Sequence, residues 1–102
     1  MTDNEILSIV KADLQISASQ LDEYLKKLIG LAKAAIQDEG IVFEMTENTT
    51  EETPDYTVQD GMLIEMYVAH LYRKRRETEN AMPRMLRFEL NNRLFRQKGR
   101  KS

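Results

Sequence analysis

Through most of this chain apolar side chains return every three or four positions, the period of an amphipathic α-helix. Ile6, Ile9, Val10 and Leu14 form the first such set. Thr2-Asp3-Asn4-Glu5 precedes it; Thr2 can accept from the third backbone N–H of a helix, and Glu5 can reach back to the cap. Gln15-Ile16-Ser17-Ala18 breaks the period, and Ser19 with Asp22 three residues on predicts a second cap. The second stripe is the clearest in the chain: Leu21, Tyr24, Leu25, Leu28, Ala32, Ala35 and Ile36, with Lys26, Lys27, Lys33 and Asp38 away from it. Gly40 follows where a helix-ending glycine belongs. Ala32 and Ala35 keep this face thin enough for another helix to come close.

Residues 41–56 lose the period. Ile41-Val42-Phe43 reads either as a short strand or as a hydrophobic latch. Glu44 to Asp55 holds a Pro, no base, and several Thr and Asn, which compete with helix through local hydrogen bonds. It predicts a long, mobile, acidic loop, either solvated or ordered against a partner. Thr57, with Asp60 three residues later, caps a third helix. From Met62 to Tyr72 every residue except Glu65 and His70 is Ala, Val, Leu, Ile, Met or Tyr. A helix apolar nearly all round is buried on more than one side. The excess over what a small bundle can hide predicts a contact with other subunits.

Arg73-Lys74-Arg75-Arg76 ends that helix, where cations complement the negative end of the dipole, although one or two would suffice. Glu77 to Met82 reads as a turn, and Pro83 suits the first position of a fourth helix running from Arg84 to Gln97, with Gly99 as its stop. Leu86, Leu90 and Leu94 form one stripe of this helix, and Met85, Phe88 and Phe95 another. Two separated stripes describe a helix gripped by two neighbours, one of them a second copy. Residues 98–102 read as a frayed tail. The expected fold is therefore all-α: a small bundle of about four helices in a single domain, 1–102, with the long acidic loop between helices two and three.

Composition changes this picture in two ways. A length of 102 residues, 41% hydrophobic and 31% charged, fits one modest globular core. No apolar run approaches the roughly 20 residues of a membrane helix, and the first residues are acidic where a signal peptide is basic. Cys is absent, which excludes disulfides and thiolate metal sites and suits a reducing cytosol. The net charge of −2 hides an asymmetry: residues 73–102 hold eleven Lys or Arg against three Glu, and the rest of the chain four bases against fourteen acids. Two surfaces of opposite sign favour head-to-tail contacts between copies, or a cationic face toward an anionic partner.

Catalytic patterns are not found in the sequence. The single His70 sits inside the apolar helix, where a packing role is expected; Gly30, Gly40, Gly61 and Gly99 are isolated and form no phosphate loop. The loop carboxylates lack the fixed placement that acid–base work or metal binding needs. No enzyme activity, metal or cofactor is expected. The basic C-terminal third can engage phosphates without reading sequence, but the gap before the third helix is too long for a helix-turn-helix reader.

The order of features resembles a known family. Lys11-Ala12-Asp13-Leu14-Gln15-Ile16 closes a short helix; Leu25-Lys26-Lys27-Leu28-Ile29-Gly30-Leu31-Ala32-Lys33-Ala34-Ala35-Ile36 forms the second. After the acidic loop come Met66-Tyr67-Val68-Ala69-His70-Leu71-Tyr72-Arg73-Lys74-Arg75, then Met82-Pro83 and a Leu-rich helix. This is similar to the small head-to-tail connector (adaptor) proteins of tailed phages and prophages, although the acidic loop is longer than in compact members. The resemblance implies a structural virion protein of the neck, assembled in the host cytoplasm. It implies a ring of about a dozen copies below the portal protein, extending the DNA channel toward the next neck or tail protein. On that reading Met66, Tyr67, Leu71, Tyr72, Met85, Phe88 and Phe95 meet neighbouring subunits. Arg73, Lys74, Arg75, Arg76, Arg84, Arg87, Arg93 and Arg96 face the portal or the DNA channel. The alternatives are a small DNA-associated regulator or packaging accessory using the basic region, and a helical adaptor for one partner.

Overall fold

A computed structural model of the chain describes residues 1–74 and 82–100. Among them are four α-helices: α1 (Asp3–Asp13), α2 (Asp22–Asp38), α3 (Val58–Lys74) and α4 (Arg84–Arg100). The all-α bundle follows the apolar periods. α3 lies at the centre and packs against α1, α2 and α4. Ile6 and Val10 of α1, Leu25, Ala32 and Ile36 of α2, Ile64 and Val68 of α3, and Leu86 and Leu90 of α4 fill the core. On the thin face of α2 Ala32 is fully covered and Ala35 half-buried.

The helix ends follow local chemistry. Thr2 Oγ1 accepts from the Glu5 N–H at 3.3 Å, and Glu5 Oε1 accepts from the Thr2 N–H at 3.2 Å, a complete capping box. α1 ends in a Schellman arrangement, with Ile16 N–H donating to the Lys11 carbonyl at 2.8 Å and Gln15 N–H to Ala12 at 3.2 Å. Gln15 sits there at φ +57°, a conformation that glycine adopts without Cβ strain. Gln15→Gly should therefore stabilise the fold by about 0.5–1 kcal/mol; an unchanged or lower urea midpoint would contradict this account of the turn. Gly40, at φ +104°, fills the equivalent position after α2.

Two boundaries differ from expectation, the start of α2 and the end of α4, while Thr57 caps α3 as expected. Ser19 does not cap α2. Ser19–Leu21 is a single 3₁₀ turn that feeds directly into α2, and the Asp22 N–H is taken by the Ser19 carbonyl. The Asp22 carboxylate accepts from Lys11 Nζ at 2.7 Å instead. Thr57 does accept from the Asp60 N–H at 3.3 Å, but the Asp60 side chain turns inward, away from the cap. α4 runs through Gly99 to Arg100, past the expected stop; Lys101, Ser102 and the expected turn up to Ala81 lie outside the described residues.

The acidic segment is folded back on the body. Met45 pairs with Tyr56 and Thr2 with Asp55 as isolated antiparallel bridges, and no strand forms among the described residues. The threonines, which argued against helix, build the loop. Thr49 Oγ1 accepts from the Asp55 N–H at 2.9 Å, Thr50 Oγ1 from Thr53 N–H at 2.9 Å, and Thr46 Oγ1 donates to Asp55. The Met1 amino group pairs with Asp55 Oδ1 at 2.8 Å. Ile41-Val42-Phe43 acts as a latch: Ile41 is buried and Phe43 meets Tyr56 edge-on, with ring centroids 5.3 Å apart.

Candidate functional site

α4 carries both of its apolar stripes to different fates. Leu86 and Leu90 are buried against the bundle, and Leu94 packs beside them. On the opposite side Met85, Phe88 and Phe95 are 62, 59 and 80% exposed. Spacings of three and seven residues place these three on one outward face, and exposed Arg84 and Lys98 flank it.

The inner side of α4 is fastened by polar contacts as well as by leucines. Arg93 is 4% exposed and Asp60, near the start of α3, is 1% exposed. Arg93 Nε donates to Asp60 Oδ1 at 2.7 Å and Nη2 to Oδ2 at 3.1 Å, a bidentate pair. Nη2 also donates to the Val42 carbonyl at 2.7 Å, and Asp60 Oδ2 accepts from the Glu44 N–H at 2.7 Å. Gln97, one turn on, accepts from the Val42 N–H at 2.8 Å and donates to the Gly40 carbonyl at 2.9 Å. One buried ion pair thus ties α3, α4 and the 40–44 latch together. Hydrogen bonding to Asp60 holds the Arg93 guanidinium above its ordinary value, against the opposing effect of burial. Toward the other end of the helix Arg87 grips Glu39 at 2.6 and 3.1 Å, and this bond keeps the Glu39 carboxyl below its usual range.

These contacts correct the expected roles of several residues. Arg93 is a buried strut and not a portal or DNA contact, because its guanidinium is consumed by Asp60, Val42 and Glu44. Arg87 is committed to Glu39. Arg96 is half-buried, with its Nε unpaired. Arg73, Lys74 and Arg84 are exposed, and Arg75 and Arg76 lie outside the described residues. A face made of all eight cations is therefore not what the fold presents.

The third helix is corrected too. Tyr72 is buried, and Met66, Tyr67 and Leu71 pack against the core from partly covered positions. Between Met62 and Tyr72 only Met62 is classed as exposed. Three neighbouring helices pack around α3 within one chain, so most of the apolar excess read from its sequence is covered without companions. Uncovered apolar side chains lie instead on α4, at Met85, Phe88 and Phe95. Sequence offered one signal for Arg93 that was missed: it follows Leu86 by seven residues and Leu90 by three, which puts it on the buried stripe.

A second uncovered apolar surface lies on the latch and loop. Val42 and Met45 are exposed, beside a shallow depression lined by Gln37, Ile41, Phe43 and Tyr56. Glu47, Glu51 and Glu52 are exposed on the same loop, and no Lys or Arg occurs between Lys33 and Arg73.

One buried acid remains. Glu65 of α3 is 4% exposed, and its Oε1 has no hydrogen-bond partner. Burial, then the hydrogen bond and charge of Asp13 on α1, push its carboxyl up to about 7, against the pull of Arg73. His70 stacks edge-on with Tyr67 at 5.9 Å. Among the described residues no group of three His, Asp or Glu is placed to hold a metal ion, and no helix is long and apolar enough to cross a membrane. No protein-family profile, curated protein or solved structure matches the chain.

Proposed function

We propose that this chain is a structural subunit that assembles with copies of itself into a ring, serving as a head-to-tail connector in the neck of a phage or prophage virion. There it docks below the portal protein and carries the DNA channel toward the tail. The observation that carries the assembly reading is the outward face of α4. Met85, Phe88 and Phe95 stand uncovered on a helix whose other side is fixed by leucines and a buried ion pair. Monomeric proteins seldom leave large apolar side chains contiguous on a rigid surface unless a partner covers them. The connector reading rests on the resemblance of the helix order and its residues.

Exposed Arg73, Lys74, Arg84 and Lys98 favour the second reading, a non-specific DNA contact. Negative-stain electron microscopy of the purified protein, alone and mixed with its portal, separates the two. Closed rings support the connector. Molecules that remain single beside the portal, yet bind duplex DNA with a salt slope that flattens on Arg73→Gln with Lys74→Gln, would replace it with the DNA reading.

A further inference from the structure

We infer that the outward face of α4 in one copy docks on the apolar, acidic surface of the 42–52 segment in a second copy. The inference rests on the self-assembly reading and names the surfaces that meet. Two faces of this chain combine uncovered apolar groups with charge, and their signs are opposite. The α4 face has Phe88 and Phe95 with Arg84 and Lys98 at its edges; the loop face has Val42 and Met45 with Glu47, Glu51 and Glu52. Pairing α4 with α4 would set cations against cations, and pairing loop with loop would set acids against acids. Only the unlike pair is complementary in both charge and apolarity.

Placement favours the same pairing. A helix turns about 100° per residue, so Phe95 points away from Gln97, and Gln97 holds the backbone of Gly40 and Val42. The α4 face therefore turns away from the latch backbone that its own chain fastens to the helix, which leaves it open to a second copy. The shallow depression lined by Gln37, Val42, Phe43 and Met45 offers an incoming aromatic ring a seat of mixed apolar and polar character beside the exposed Val42 and Met45. Contact between unlike faces leaves one free face at each end of a pair, so it propagates into a ring if the rotation closes and into a filament if it does not.

The test uses two double variants of the full chain. Phe88→Asp with Phe95→Asp removes the α4 face, and Val42→Lys with Met45→Lys removes the loop face. All four positions are exposed, and circular dichroism checks that each variant keeps its helices. Light scattering should find the wild-type protein as an oligomer and each variant alone at the mass of one subunit. An equimolar mixture should stop at twice that mass, because one intact contact forms and the other cannot. A loop-face variant that still self-associates would show α4 pairing with itself and overturn the inference. Two variants that both keep the wild-type mass would overturn it as well, while leaving self-assembly standing. A wild-type protein that stays single at every concentration and beside the portal would overturn the inference and the self-assembly reading together.

Discussion

Arg93→Met should destabilise the protein by on the order of 3–5 kcal/mol, a large part of the roughly 5–15 kcal/mol that holds a domain folded. Methionine keeps most of the aliphatic stem, so the loss comes from the charge and its hydrogen bonds and less from packing. The variant leaves the Asp60 carboxylate 1% exposed with only the Glu44 N–H beside it, and leaves the Val42 carbonyl without its donor. Asp60→Ala should cost a similar amount by stranding the guanidinium. Combining the two should cost less than the sum of the singles, with a coupling of about 2 kcal/mol or more, because the second change removes a charge already orphaned by the first. Arg87→Met supplies the control: it breaks the partly exposed pair with Glu39 on the same helix and should cost only about 0.2–1 kcal/mol. Urea unfolding of the four variants beside the wild-type protein measures all of this. Equal losses for Arg87→Met and Arg93→Met would mean that burial does not set the energetics of this helix.

The contrast between these two arginines shows where sequence was legible and where it was not. Helix positions followed from the apolar period because burying a stripe is the dominant local demand on each segment. The Leu86-Leu90 stripe and the Met85-Phe88-Phe95 stripe were both visible, yet nothing in their composition said which one the chain would bury for itself. That depended on Asp60, thirty-three residues away from Arg93, turning inward to meet it. Asp60 had a sufficient local explanation as the third residue after Thr57, and that explanation concealed its long-range role. The third helix misled in the opposite sense. Its all-round apolarity was read correctly as burial on several sides, but the covering surfaces were α1, α2 and α4 of the same chain. Periodicity states how much of a helix must be covered and is silent about whose atoms cover it. The loop was legible in boundary and charge; its fixed path depends on threonine hydroxyls and the Asp55 carboxylate meeting across several residues, which no period encodes.

The protein should lose stability as pH rises from about 4.5 toward 8, and Glu65 should account for much of that loss. Its carboxyl in the fold is raised to about 7 from an ordinary 4.5, so the folded state holds the proton more tightly than the unfolded chain. Such a group contributes stability that is fully present below the unfolded value and disappears as pH passes through the folded one. The difference corresponds to on the order of 3 kcal/mol between pH 4 and pH 8. Asp13 from α1 and Arg73 from α3 are the charges that bear on Glu65 and act in opposite directions. Asp13 accepts the shared proton when Glu65 is neutral and repels Glu65 once it ionises, while Arg73 limits the effect. Glu65→Gln keeps the size and a donor toward Asp13 but cannot ionise. It should match the wild-type protein near pH 4 and exceed it by about 1–3 kcal/mol at pH 8. Urea midpoints at half-unit pH steps give the two slopes, and comparing them cancels every group that titrates alike in both proteins. Parallel slopes for the two would show that the carboxyl between α1 and α3 is ionised and accommodated, and that the bundle tolerates a buried charge at its centre.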